Sequence, residues 1–183
     1  MITPREASHI LKQAEVIYTE AEIQASISKA AQLIAAETPA DTSLLLICVM
    51  SGGVYFSAEL MKRFTLPVEF DYLHATRYRG ETSGKEVQWI QRPHTSLHHR
   101  HVLIVDDILD EGYTLKSILT DCRAEQPASL RVATLTWKNH ARRVAGLDVD
   151  YIGLELPDRY VFGCGMDYKG YHRNLNAVYA AAE

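Results

Sequence analysis

Four apolar residues, Val102 to Val105, run without a break into Asp106 and Asp107, followed by Asp110, Gly112 and Thr114. This junction constrains the fold more than any other stretch. Apolar residues without polar alternation make a strand covered on both faces, as in a parallel sheet. Parallel strands need a crossover, and Leu115 to Arg123 offers an amphipathic helix for it. A ligand beyond the strand's carboxyl end would meet acids first and a helix N-terminus second. Acids suit hydroxyl groups or a metal, and free backbone N–H groups suit phosphate. A ribose 5-phosphate carries both kinds of group side by side.

The rest of the chain alternates in the same way. Thr3-Pro-Arg-Glu6 and Thr19-Glu-Ala-Glu22 both have the form of a capping box that opens a helix. The second helix carries Ile23, Ile27, Ala30, Ala31 and Ile34 on one face and ends by Pro39. Leu44 to Val49 reads as a buried strand, Ser51-Gly52-Gly53 as a turn, and Tyr55 to Arg63 as a helix. Strands are expected at Val68 to Ala75 and Val87 to Gln91, with a polar mobile loop from Arg77 to Glu86 between them. Leu130 to Trp137 is a further strand, Asn139 to Ala145 a short helix, and Tyr151 to Leu154 the last parallel strand. The expected fold class is α/β, an open and mostly parallel sheet flanked by helices with right-handed crossovers.

With 183 residues and no linker or repeat, one domain spanning 1–183 is the simplest organisation. A net charge of −4 argues against nucleic acid as a partner, since phosphate backbones need basic stripes. No apolar run approaches the ~20 residues of a membrane span. The N-terminal residues lack the pattern of a secretory signal. Cys48, Cys122 and Cys164 are widely spread, without a Cys-x-x-Cys, and read as free thiols in a reducing cytoplasm.

The acidic segment resembles the phosphoribosyl-pyrophosphate (PRPP) signature of the type I phosphoribosyltransferases. The order of the later motifs is similar to the hypoxanthine-guanine phosphoribosyltransferase branch, from about Leu44 to Asn176. The resemblance implies a core at about 44–156 and a small purine-binding hood at about 157–183, joined by N-terminal elements. It implies that Asp106 and Asp107 hold the ribose hydroxyls, with Mg2+ bridging ribose and pyrophosphate. Neighbouring strand residues point to opposite sides, so the pair is not expected to act as one chelate. Asp110 matches the position facing the purine's imidazole nitrogen, where a carboxylate takes or shares the base proton. The alternative for Asp110 is a helix N-cap. Asp-Asp-x-x-Asp is also found in isoprenoid synthases, but there on long helices rather than after a β-branched strand.

Residues from Asp110 to Thr114 are expected to wrap the 5-phosphate, Gly112 allowing close approach and Thr114 adding a hydroxyl. Glu111 and Tyr113 depart from the family pattern. The Glu111 carboxylate is expected to face away, leaving its N–H to contribute. The loop Met50-Ser51-Gly52-Gly53 falls where the family binds pyrophosphate, often with a non-proline cis peptide and a basic residue at the place of Ser51. Lys138 matches the donor to the exocyclic oxygen of a 6-oxopurine, a contact that rejects adenine. By itself a strand-end lysine is most often solvated. Tyr160 fits the aromatic stacked on the purine, with a core aromatic as the alternative. Val161 fits the residue meeting the base edge, Asp167 a second magnesium-linked position near the base, and Arg173 an arginine that reaches pyrophosphate. Arg77 and Tyr78 stand where the family has a lid pair, which would exclude water from the reaction. His98-His99-Arg100-His101 is read as a solvated turn rather than a metal site.

The implied activity is Mg-dependent transfer of 5-phosphoribosyl from PRPP to hypoxanthine or guanine, a step of purine salvage. The implied partners are small molecules, in a cytoplasmic homodimer or homotetramer, with neither nucleic acid nor membrane. A PRPP-sensing regulator that has lost catalysis, or a xanthine-preferring enzyme, are the rivals.

Overall fold

In the computed structural model, residues 2–77 and 87–182 are described. The helices and strands follow in the order α1 (Pro4–Gln13), β1 (Glu15–Tyr18), α2 (Glu20–Glu37), β2 (Leu44–Val49), α3 (Val54–Met61), β3 (Val68–Arg77), β4 (Val87–Gln91), β5 (His101–Leu109), α4 (Tyr113–Ala124), β6 (Ser129–Lys138), β7 (Tyr151–Leu156), β8 (Val161–Phe162) and β9 (Val178–Ala180). Both threonine capping boxes are formed: Thr3 accepts from the Glu6 N–H and Thr19 from the Glu22 N–H, with each glutamate reaching back. Two otherwise unpaired donors per helix are thereby satisfied.

A six-stranded sheet has the order β4-β3-β2-β5-β6-β7. From β3 to β7 the strands are parallel, and β4 returns antiparallel to β3 at the edge. The unbroken apolar runs of β2 and β5 are explained by their central place. Leu44 and Leu46 pack into one core, with Ile23, Ile27 and Ile34 of α2. Leu45, Ile47 and Val49 face the opposite core, with Leu115, Ile118 and Leu119 of α4. Neither face is left to water, so no polar alternation is needed. Cys48, Cys122 and Cys164 are free and buried. Among the described residues, no helix is long and apolar enough to cross a membrane.

A second, three-stranded sheet joins the two ends of the chain in the order β1-β9-β8, antiparallel throughout. It forms the expected hood. Its N-terminal strand, Glu15 to Tyr18, sits between two helices and was not anticipated.

The helix expected at Asn139 to Ala145 is absent. The segment bonds outward instead: the Val144 N–H donates to the Glu111 carbonyl at 2.9 Å and the His140 ring meets Asp110 at 2.6 Å. Lys116 Nζ reaches the Ala145 carbonyl at 2.7 Å. A seven-residue helix gains little by itself, so tertiary bonds win. The segment becomes a strap across the start of α4.

Candidate active site

Loops after β2, β5 and β6 meet at the carboxyl edge of the sheet. After β2, the Met50–Ser51 peptide is cis and the chain turns into α3. Gly52 lies hard against β5: a Cβ there would overlap the Asp107 carboxylate. Asp106 still pairs with Thr134 of β6 in regular register, and the Thr136 hydroxyl donates to the Asp107 carbonyl at 2.9 Å. Gly112 takes a left-handed φ of 80° and precedes α4 with no side-chain cap. Asp110 is therefore not the N-cap, and the first-turn N–H groups of α4 point at the cleft with the helix's partial positive charge.

Two adjoining recesses result. A cleft of about 720 Å³ is lined by Ser51, Gly52, Asp106, Asp107, Asp110, Glu111, Gly112, Tyr113, Thr114, Arg142 and Arg173. A pocket of about 220 Å³ is lined by Asp107, Ile108, Asp110, Lys138, Tyr160, Val161, Met166 and Asp167. The ribose-phosphate candidates thus gather on one side and the purine candidates on the other, with Asp107 and Asp110 on the wall common to both. Arg77 ends β3, while its side chain and Tyr78 lie outside the described residues, so the lid pair is not located. His101 opens β5 and its ring bonds Ser129, apart from either recess.

Asp106 and Asp107 do not diverge as neighbouring strand residues were expected to. Both line the cleft, and they feel each other. Burial, and then the adjacent Asp107 charge, pushes the Asp106 carboxyl far above the usual carboxylate range. Asp107 is also raised by burial, with hydrogen bonding to Asp106 and the Arg173 charge working against it. Arg173 Nη1 stands 4.0 Å from Asp107, and its guanidinium is mostly engaged elsewhere. It donates to the Gly165 carbonyl and to Asp167, both at 2.6 Å. Asp167 also accepts from the Gly170 N–H at 2.7 Å.

Asp110 has the opposite surroundings. Lys138 Nζ lies 3.1 Å from one carboxylate oxygen and His140 Nε2 2.6 Å from the other. Burial acts to raise this carboxyl, but the bonds from His140 and Lys138 outweigh it and hold the group below its ordinary value. Lys138 is thus not a solvated strand end; its side chain is only 13% exposed. Tyr160 is 51% exposed, with its ring edge-on to Tyr168 at 4.9 Å, which rules out the core-aromatic alternative. His140 was missed. Its one sequence signal was a position two residues beyond Lys138, which means nothing until the strap's path is known.

Residues 13–169 match the family described as phosphoribosyl transferase domain, and the chain belongs to that family. The hypoxanthine-guanine phosphoribosyltransferase of Staphylococcus epidermidis is 37% identical over 161 residues, covering 87% of this chain and 89% of that one. The hypoxanthine-guanine-xanthine phosphoribosyltransferase of Tritrichomonas foetus is 32% identical over 163 residues, 89% and 88% of the two chains. The solved hypoxanthine phosphoribosyltransferase of Staphylococcus aureus superposes with a TM-score of 0.88 at 30% identity, over 98% of this chain and 97% of that one.

Proposed function

We propose that the protein is a hypoxanthine-guanine phosphoribosyltransferase of purine salvage. It transfers 5-phosphoribosyl from PRPP to a 6-oxopurine and releases pyrophosphate and IMP or GMP. The observation that carries this is the pair of recesses with Asp107 and Asp110 on their common wall, set in a chain of this family. PRPP fits the larger cleft. Its 5-phosphate lies on the N–H groups from Gly112 to Thr114, and its pyrophosphate lies toward Ser51, Gly52 and Arg173. Glu111 contributes its N–H there, and the Arg142 guanidinium lies near enough to feel the Glu111 charge.

The purine takes the smaller pocket, stacked on Tyr160, with its edge at Val161 and Asp167 and its exocyclic oxygen on Lys138. There Asp110 faces the imidazole edge. As the base nitrogen bonds to C1 of the ribose, the C1–O bond to pyrophosphate breaks, and the purine gives up one proton. Asp110 receives or shares that proton, and the carboxylates around the ribose oppose the positive charge that builds on it.

Mg2+ is the cofactor that suits Asp106 and Asp107. Two adjacent carboxylates, one buried and one half-buried, that repel each other favour a cation, and their hard oxygens suit magnesium. Among the described residues, no group of three or more His, Cys, Asp or Glu forms a ready-made metal cage. That is in keeping with an ion that draws its remaining ligands from substrate and water. Bound there, and linked to Asp167, it would neutralise the pyrophosphate charge.

The chain works as one domain, core 44–156 with hood 157–183, in the cytoplasm. The proposed assembly is a homodimer or homotetramer. A spectrophotometric assay with PRPP, Mg2+ and each of hypoxanthine, guanine, xanthine and adenine tests the activity. Turnover with the first two and none with adenine is expected. A preference for xanthine would move the protein toward its Tritrichomonas relative, and no turnover with any base would leave a PRPP-binding regulator.

A further inference from the structure

Two side chains converge on Asp110, and the reaction as described uses only one of them. We infer that His140 is a positioning residue for Asp110: its Nε2–H fixes one carboxylate oxygen so that the other stays turned to the purine. This rests on the assignment of Asp110 to the purine's imidazole nitrogen.

The His140 side chain is 4% exposed, so both ring nitrogens need partners within the protein. They have them. Nδ1 lies 3.2 Å from the Arg142 N–H, which can only donate. The lone pair is therefore on Nδ1 and the hydrogen on Nε2, which makes the 2.6 Å contact a donation into Asp110 Oδ1. The ring is also held in place by its strap. Val144 and Ala145 are tied to Glu111 and Lys116 at 2.9 and 2.7 Å, and Arg142 makes a two-point pair with Asp158 at 2.8 and 2.7 Å.

Lys138 offers no such permanence. Its ammonium, 3.1 Å from Asp110 Oδ2, is the group that turns to the exocyclic oxygen when a base arrives. At that moment Asp110, with a side chain 43% exposed, keeps a single side-chain anchor, His140. A carboxylate left to rotate would meet the imidazole edge only part of the time, and catalysis loses steeply from small misplacements.

The test compares His140→Gln, His140→Asn and His140→Leu in the full chain, with PRPP, Mg2+ and hypoxanthine. A glutamine amide nitrogen reaches about as far as imidazole Nε2, whereas asparagine reaches only about as far as Nδ1. His140→Leu and His140→Asn are expected to lose ~10-fold or more in kcat, the scale of one hydrogen bond to a charged group. The KM for PRPP should stay within about twofold, because uniform substrate binding is untouched. His140→Gln should recover most of the lost kcat. The inference is overturned if His140→Leu turns over like the parent. It is equally overturned if His140→Gln is as slow as His140→Asn while both melt at the same temperature. Asp110→Asn, run alongside, separates the two assignments. Full turnover in that variant removes the role of Asp110 and with it that of His140, whereas a collapse there beside a normal His140→Leu removes His140 alone.

Discussion

Asp106 and Asp107, on one side, and Asp110, on the other, lie within five residues of the same strand end and have opposite electrostatic surroundings. Asp107 is buried and Asp106 half-buried, with little cationic help, and both carboxyls are raised above their ordinary range. Asp110 receives donors on both oxygens and is held as a carboxylate. The difference is which element passes overhead. Gly52 and the hood close on the pair, bringing Arg173 no nearer than 4.0 Å. The end of β6 brings Lys138, and the strap that follows brings His140, straight to Asp110. One short acidic segment thereby holds two different settings, a repelling pair in the cleft and a carboxylate with a donor on each oxygen. Asp71 is the limiting case of a satisfied carboxylate. It is buried, and it accepts the N–H groups of Tyr72, His94 and Thr95 at 2.7 Å each.

The contrast breaks most visibly at Asp110. Asp110→Asn should keep the melting temperature near the parent's and lower kcat by ~10²–10⁴-fold, the range of a lost general base; steady-state kinetics at saturating PRPP read this out. Next is Lys138→Ala, expected to raise the purine KM by ~10-fold or more through loss of a charged hydrogen bond. The PRPP KM should move less, and a titration of hypoxanthine at fixed PRPP separates the two.

Asp71→Ala should leave the remaining activity intact and cost ~1–3 kcal/mol, because buried backbone donors lose their acceptor. Burial acts to raise the Asp71 carboxyl, but bonds from Thr95, Tyr72 and His94 hold it below its ordinary value of 3.8. A lowered carboxyl stabilises the fold above its unfolded pKa, and that gain disappears as pH falls through the folded value. The difference in melting temperature between parent and Asp71→Ala should therefore be full at pH 7 and narrow below about pH 4. The smallest effect is at the pair. Asp107→Asn removes one of two repelling charges and should raise the ligand-free melting temperature by ~2–4 °C, the yield of ~1 kcal/mol in a chain this size. The same variant should bind PRPP with Mg2+ more weakly, as isothermal titration would record.

Much of the fold is visible in local signals. The strands Leu44–Val49 and Val102–Val105 follow from apolar runs that two cores demand, and the first two helices from their threonine caps. Long-range partners hid the rest. β1 is four residues, Glu15–Tyr18, paired with Val178–Ala180 at the far end of the chain, and nothing local marks such a pairing. The helix read at Asn139 to Ala145 failed because Glu111 and Lys116, distant in sequence, claim its backbone. The acids, Lys138, Tyr160 and Arg173 could be named as candidates from the order of motifs, and all of them line the two recesses. That Lys138 and His140 share Asp110 could not be foreseen, since it depends on the strap crossing the start of α4.

A crystal structure with a bound nucleoside 5-monophosphate would decide the central claim. The phosphate is expected on the N–H groups from Gly112 to Thr114, the ribose hydroxyls beside Asp106 and Asp107, and the base between Tyr160 and Lys138 with Asp110 at its imidazole edge. A nucleotide seated anywhere else, with these two recesses empty, would contradict it.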